Sequence, residues 1–279
     1  MKAGVEEGAA AGLSCALGLR EPQLVAFVGA GGKTTALQRL AVESAERGSC
    51  VAVTTTTAMY AHQLASVAPL FLRSGDARNV TMLLKDQLLR HRIVALAESV
   101  GDDGKARGIR PEDVDALWRE RLVGFIVVEA DGSRGLPLKM FGAAEPQLPS
   151  ETTTVVVMAG MDALDAPLDD RHVHRAELLR SLLSVAQDGR ATPGVVARTL
   201  AVQVARVRSL CPRADVAVLL NKADTGREMA AGLEIAGLLD DACDAREGRP
   251  AGAARPDRVV VGSLSRDVYR VATGGPFPA

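Results

Sequence analysis

Aromatic residues are scarce in this chain: one Trp, two Tyr and five Phe among 279 residues. A core of that size must then be filled by Val, Leu, Ile and Ala, the composition of strands buried on both faces between helices. Cysteine is sparser still. Cys15, Cys50, Cys211 and Cys243 are scattered without a close pair, so the spacing suggests neither a zinc site nor a disulfide framework, and a reducing compartment is expected. An excess of charge is also missing. A formal net charge of -1 gives no general attraction to nucleic acid or to an anionic membrane, and neither is expected as a partner. No apolar run approaches the roughly 18 residues of a membrane-spanning helix. Met1 to Arg20 carries Glu6 and Glu7 where a secretory leader has a basic stretch followed by a long apolar one. A cytoplasmic protein is expected.

What the chain does have is alternation. Short apolar runs at Leu24 to Val28, Cys50 to Thr54, Leu70 to Arg73, Arg92 to Ala97, Phe125 to Val128, Thr154 to Met158, Val216 to Leu220 and Val259 to Val261 read as buried strands. Helical spacing separates most of them, at Thr34 to Arg47, Val80 to Arg90, Pro111 to Arg121, Arg175 to Val185, Val195 to Ala205 and Glu228 to Leu239. Strands alternating with helices predict an α/β fold, a P-loop NTPase-like three-layer sandwich on a mostly parallel sheet. The expected organisation is one domain over residues 1–279, with a flexible segment at 1–20 and an insertion or small subdomain within 60–122. Glu247 to Asp257, rich in Gly, Pro, Ala and Arg, reads as an exposed loop.

Between the first strand and its helix lies Gly29-Ala30-Gly31-Gly32-Lys33-Thr34-Thr35. Glycines let backbone amides turn inward around phosphate oxygens, Lys33 reaches toward the β and γ phosphates, and the Thr34 hydroxyl is a magnesium ligand. The helix N-terminus adds its positive dipole end. Phe27 occupies the first glycine position of the standard loop, and Gly29 stands four before Lys33 instead. This shortened form resembles loops of Mur-type ligases and of metallochaperone-type P-loop proteins.

The strand ending at Val128 runs into Glu129-Ala130-Asp131-Gly132-Ser133-Arg134. Either carboxylate can hold magnesium while the other orients an attacking water, and Asp131 is the preferred metal ligand. Arg134 is placed to offset charge on a transferred phosphoryl group. Asn221-Lys222-Ala223-Asp224 follows a late strand and matches the guanine-reading pattern N-K-x-D. An aspartate accepts from guanine N1–H and the N2 amino group, neither of which adenine offers, while Asn221 fixes the loop and the Lys222 stem covers the base. GTP is therefore expected ahead of ATP. Ser263 is a candidate for the supporting base loop. Thr55 to Thr57 can meet the γ-phosphate or a substrate, and His172, His174 and Arg175 lie near Asp162 and Asp169 in a loop able to hold substrate or a second metal.

Taken together, several segments resemble the YqeC family, regarded as accessory proteins of selenium-dependent molybdenum hydroxylases. Its carriers are Val28 to Thr35, Val53 to Thr57, Lys105 to Ile109, Val128 to Lys139, Glu145-Pro146, His174-Arg175 and Leu220 to Asp224. Ala58 stands where the family pattern has lysine. The resemblance implies a role in maturing or loading the cofactor of a molybdenum-containing hydroxylase, with that enzyme or its maturation proteins as partners. The expected activity is a slow GTPase coupled to that task. The alternatives are an ATP- or GTP-dependent ligase or transferase acting on a cofactor, or a nucleotide-gated chaperone without turnover.

Overall fold

A computed structural model describes residues 12–72, 77–244 and 255–273. In chain order the elements are α1 (Leu13–Ala16), β1 (Gln23–Gly29), α2 (Lys33–Glu46), β2 (Val51–Thr55), β3 (Met59–Tyr60), α3 (Ala61–Ala65), β4 (Leu70–Leu72) and α4 (Ala77–Arg90). The middle of the chain forms β5 (Ile93–Ala97), β6 (Ser99–Val100), β7 (Lys105–Arg107), α5 (Pro111–Arg119), β8 (Phe125–Glu129), β9 (Leu138–Lys139) and β10 (Thr154–Gly160). The remainder forms β11 (Val173–His174), α6 (Ala176–Leu183), α7 (Pro193–Leu210), β12 (Asp215–Asn221), α8 (Gly226–Asp244), β13 (Arg258–Ser263) and β14 (Val268–Thr273).

Nine strands form one sheet in the order β14-β13-β12-β10-β1-β8-β2-β5-β4. All its pairings are parallel except that of β14, which returns antiparallel on β13 at one edge. Each inner strand is apolar on both sides because each side faces a helical layer. Along β1, Leu24, Ala26 and Val28 enter the core shared with Val114, Leu179, Leu200 and Ile235 of α5 to α8. Val25 and Phe27 enter the opposite core with Leu37 and Leu40 of α2 and Leu64 of α3. The result is a three-layer α/β sandwich of P-loop type.

Two expectations about organisation need correcting. Leu13, Ala16 and Leu17 are fully buried, and the Leu13 and Ser14 amides donate to the Glu43 carboxylate of α2. Residues 12–20 are thus packed rather than flexible, while 1–11 lie outside the described residues. Residues 60–122 do not form a separate unit either, since β4 and β5 extend the main sheet and Val114, Leu117 and Trp118 of α5 join its core. Among the described residues two small sheets stand apart from it, β3-β7-β6 in this segment and β11-β9 farther along the chain. Most of the loop read at Glu247 to Asp257 lies outside the described residues. Among the described residues no helix is long and apolar enough to cross a membrane.

Candidate functional site

Parallel strands deliver their carboxyl ends to one side of a sheet, where ligands of open α/β folds sit. Here Gly29, Glu129, Gly160 and Asn221 end β1, β8, β10 and β12, and the sheet order sets the spacing. β8 lies directly beside β1, and β12 lies two strands away across β10, about 10 Å at the usual strand spacing.

The loop after β1 is shaped by glycines that no other residue replaces. Gly31 has φ +79°, and a Cβ there would lie 2.1 Å from the Gly160 amide; Gly32 has φ +115°, and its Cβ would lie 2.6 Å from Asn221 Nδ2. Both substitutions combine a left-handed backbone with a steric clash. Gly31→Ala is expected to destabilise the chain by about 3 kcal/mol, seen as a lower denaturant midpoint, whereas Gly132→Ala, in open space, should cost far less.

The amides entering the shortened loop already have acceptors. Gly29 donates to Asp131 Oδ2 at 2.9 Å, Ala30 to the Met158 carbonyl at 2.9 Å and Gly31 to the Leu136 carbonyl at 3.2 Å. The following amides open α2, which has no side-chain cap at Gly32 and whose first-turn N–H groups have no intrahelical acceptor. This half of the loop can receive an anion.

Lys33 is 3% exposed. It donates to its own loop at the Gly29 carbonyl, 2.8 Å away, and lies 3.3 Å from Asp131 Oδ1 and 3.9 Å from Glu129 Oε1. The two carboxylates are not equivalent. The Thr34 hydroxyl donates to Glu129 Oε2 at 2.7 Å, so Glu129, rather than Asp131, stands beside the residue expected to ligate metal. Burial raises the pKa of the Glu129 carboxyl, offset in part by Lys33 and the Thr34 hydrogen bond. Asp131 is fully buried, with Oδ2 taken by the Gly29 amide and by Lys139 at 2.8 Å. Its Oδ1 makes no hydrogen bond and faces Lys33.

In the sequence Lys139 stands only at the end of a long motif that assigns it no role. The structure gives it a partner for each of its three donors. Its ammonium is fully buried and meets Asp131 Oδ2, Glu145 Oε2 and the Gly132 carbonyl at 2.8, 2.8 and 2.6 Å, one oxygen for each donor. Glu145 also receives two hydrogen bonds from Arg175, at 2.6 and 3.0 Å. Burial pushes Glu145 up, but the Arg175 and Lys139 hydrogen bonds outweigh it and bring the carboxyl down to about 2. A depressed carboxyl contributes stability that is complete above its ordinary value and is lost as pH falls through the folded one. The stability difference between the wild type and Glu145→Gln should therefore be constant near neutrality and close between the ordinary carboxyl value of 4.5 and about 2, which urea unfolding at stepped pH would measure.

On the other flank, Asn221 ties three segments together. Its Nδ2 donates to the Gly31 carbonyl at 2.8 Å, and its Oδ1 accepts from the Leu264 amide at 3.0 Å. Ser263 and Ser265 hydroxyls donate to Asp224 Oδ1 at 2.5 and 3.3 Å, so Ser263 does sit in the loop that supports Asp224. Lys222 adopts φ +64° and pairs with Asp162 at 2.6 Å.

Other candidates are not drawn into this cluster. Thr54, Thr55 and Thr56 hydroxyls donate to the carbonyls of Leu96, Glu129 and Gln147, which joins β2 to its neighbours and leaves only Thr57 half-buried at the strand end. His172 pairs with Asp169 at 2.7 Å, while Asp162 is held by Lys222; among the described residues no group of three or more His, Cys, Asp or Glu is placed to hold a metal. His174 lies opposite Lys139 in the β9–β11 pair. Its pKa is lowered by burial and by Arg175, Lys139 and Arg134. Arg134 itself is exposed on a turn with φ +54°.

A model of the YqeC protein family matches residues 25–177, more than half of the chain. That span contains the P-loop, the threonine run and the segment from Glu129 to Arg175, and ends before Asn221. The chain is 32% identical over 169 residues to the uncharacterized protein YqeC of Escherichia coli (strain K12); the match covers 61% of this chain and 64% of that protein, less than two thirds of its length. Among solved structures it is similar to the signal recognition particle 54 kDa protein from Aeropyrum pernix K1 in complex with GDP, with TM-score 0.43 and 14% identity over 91% of this chain but 44% of that one. It is also similar to PAB0955, a GTPase in apo form from Pyrococcus abyssi, with TM-score 0.35 and 14% identity, covering 88% of this chain and 92% of that one. Likenesses of that grade bear on neither ligand nor activity. The family match, which spans more than half of the sequence, does decide membership: the chain belongs to the YqeC family.

Proposed function

We propose that this chain binds GTP with magnesium and hydrolyses it slowly, and that its nucleotide state governs contact with a molybdenum-containing hydroxylase or with the proteins that mature and load that enzyme's cofactor. The observation that carries the nucleotide reading is the double grip of Asn221. One side chain links the phosphate loop, through Gly31, to the loop that holds Asp224 through Ser263. A guanine held by Asp224 would thus be positioned relative to phosphates held by Lys33.

The donor set beside the phosphate loop fits magnesium. The Thr34 hydroxyl and the Glu129 carboxylate are hard oxygen donors in direct contact, and a cation between them would favour the ionised form that burial opposes. Magnesium bound there supplies charge neutralisation at the phosphate oxygens. Lys33 turns from the Gly29 carbonyl toward the β and γ phosphates, and the first-turn amides of α2 receive the phosphate oxygens. Asp131 Oδ1, buried and without a hydrogen bond, is the group placed to accept from an attacking water. Metal and water are thus divided between the two carboxylates in the opposite sense to the preference read from sequence. The family resemblance supports the molybdenum hydroxylase as client.

Purified chain should turn GTP over well below once per second, and a molybdenum hydroxylase or its maturation proteins should raise that rate or bind in a nucleotide-dependent manner. Phosphate release under single-turnover conditions, with and without such a client, measures this. Rapid partner-free hydrolysis would contradict the regulatory form, and hydrolysis that requires a small-molecule acceptor would favour a ligase or transferase.

A further inference from the structure

The mechanism above gives no task to Lys139, a fully buried ammonium in contact with Asp131, the aspartate that accepts from the Gly29 amide of the phosphate loop. Charges alternate away from the phosphate loop: Lys33, Asp131, Lys139, Glu145, Arg175. Each of the two carboxylates in this chain therefore has a cation on either side. Lys33 is the end member, and its other partners are the Gly29 carbonyl of its own loop and, at 3.9 Å, Glu129 Oε1.

Lys33 has to leave Asp131 in order to hold a phosphate. With Lys33 as sole counter-ion, its departure would strand a fully buried carboxylate, a change that costs several kcal/mol. It would also leave an unscreened negative charge next to the incoming phosphates. Lys139 prevents both. It stays on Asp131 Oδ2 at 2.8 Å, and on the same oxygen the Gly29 amide donates at 2.9 Å, so the entry to the loop keeps its shape while Lys33 moves. Glu145 and Arg175 hold Lys139 in turn, and Gln203 of α7 donates to the Lys139 carbonyl at 3.0 Å.

We infer that Lys139 is a positioning residue for triphosphate binding: it neutralises Asp131 from the buried side, so that the charge of Lys33 is available to the phosphates. The role rests on the nucleotide-binding reading above and deepens it. It concerns the phosphates alone and is independent of the base.

The test is titration calorimetry with two probes, GTP with magnesium and inorganic tripolyphosphate with magnesium, on the wild type, Lys139→Met, Asp131→Asn and the double variant. Lys139→Met is expected to weaken both probes at least about thirtyfold. Adding Asp131→Asn should remove the defect, leaving the double variant within about threefold of Asp131→Asn alone. A lysine needed only for packing would not be rescued by neutralising Asp131. Equal impairment of Lys139→Met and the double variant overturns the role, as does wild-type affinity in folded Lys139→Met. Should Lys139→Met fail to fold, the double variant read against Asp131→Asn decides the matter alone, because a neutral Asp131 makes Lys139 dispensable. If tripolyphosphate binds and GTP gains nothing over it, the base reading fails while Lys139 is still tested. If neither probe binds the wild type, both readings fall.

Discussion

Replacing Asp224 with asparagine is expected to move the preference of the chain from guanosine to xanthosine triphosphate. A carboxylate offers about four acceptor sites, and Ser263 and Ser265 use only Oδ1. The remaining capacity suits the N1–H and amino group of guanine. An asparagine keeps one acceptor and gains a donor, and xanthine presents a carbonyl where guanine has its amino group. Losing charge-assisted bonds to guanine should weaken GTP by about 3 kcal/mol, on the order of a hundredfold, while xanthosine triphosphate gains. Competition of the two nucleotides for the wild type and the variant measures this. Unchanged GTP affinity in Asp224→Asn would show that the base is read elsewhere or not at all.

Lys33→Ala has the second large effect. Lys33 is the only cation that both opens onto α2 and contacts the two strand-end carboxylates among the described residues, so its removal takes away the charge that meets the phosphates. Triphosphate affinity should fall by about 3 kcal/mol or more, over a hundredfold. The fold should survive, because Asp131 keeps Lys139 and the Gly29 amide. A thermal midpoint near that of the wild type together with lost binding is the expected pair of results. Retained binding would contradict the assignment of the phosphate site.

The fold was largely legible because its signals are local. Runs such as Phe125 to Val128 and Val216 to Leu220 are apolar without alternation, as strands covered on both faces must be, and both proved to be inner strands. β14 was missed since Val268–Thr273 is a short edge strand in which only Tyr269 is buried, and a lone antiparallel edge strand lacks the continuous apolar run that marks the inner strands. α1 was missed because four residues give too little periodicity, and its place depends on Glu43 thirty residues away.

The site was legible to the extent that each motif is contiguous. The glycine loop, Glu129 with Asp131, and Asn221 with Asp224 follow the carboxyl ends of β1, β8 and β12 in one parallel sheet. What the sequence could not convey was which carboxylate meets Thr34, since two residues on one strand end differ only in where their side chains go. It also could not show that Lys139, Glu145 and Arg175 form one chain of ion pairs with Asp131, running from the buried Lys139 to the half-buried Arg175. Those contacts depend on β9 and β11 pairing across the 35 residues that separate Lys139 from His174. The recurrence of Lys139, Glu145 and Arg175 within the segments that carry the family resemblance was the available signal.

The central claim is that this P-loop reads guanine and holds its phosphates with magnesium. Its most direct test is calorimetric titration of the wild-type chain with GTP and with ATP, each with and without magnesium. The account predicts magnesium-dependent binding of GTP, with ATP weaker by on the order of a hundredfold. Equal or tighter binding of ATP would contradict it.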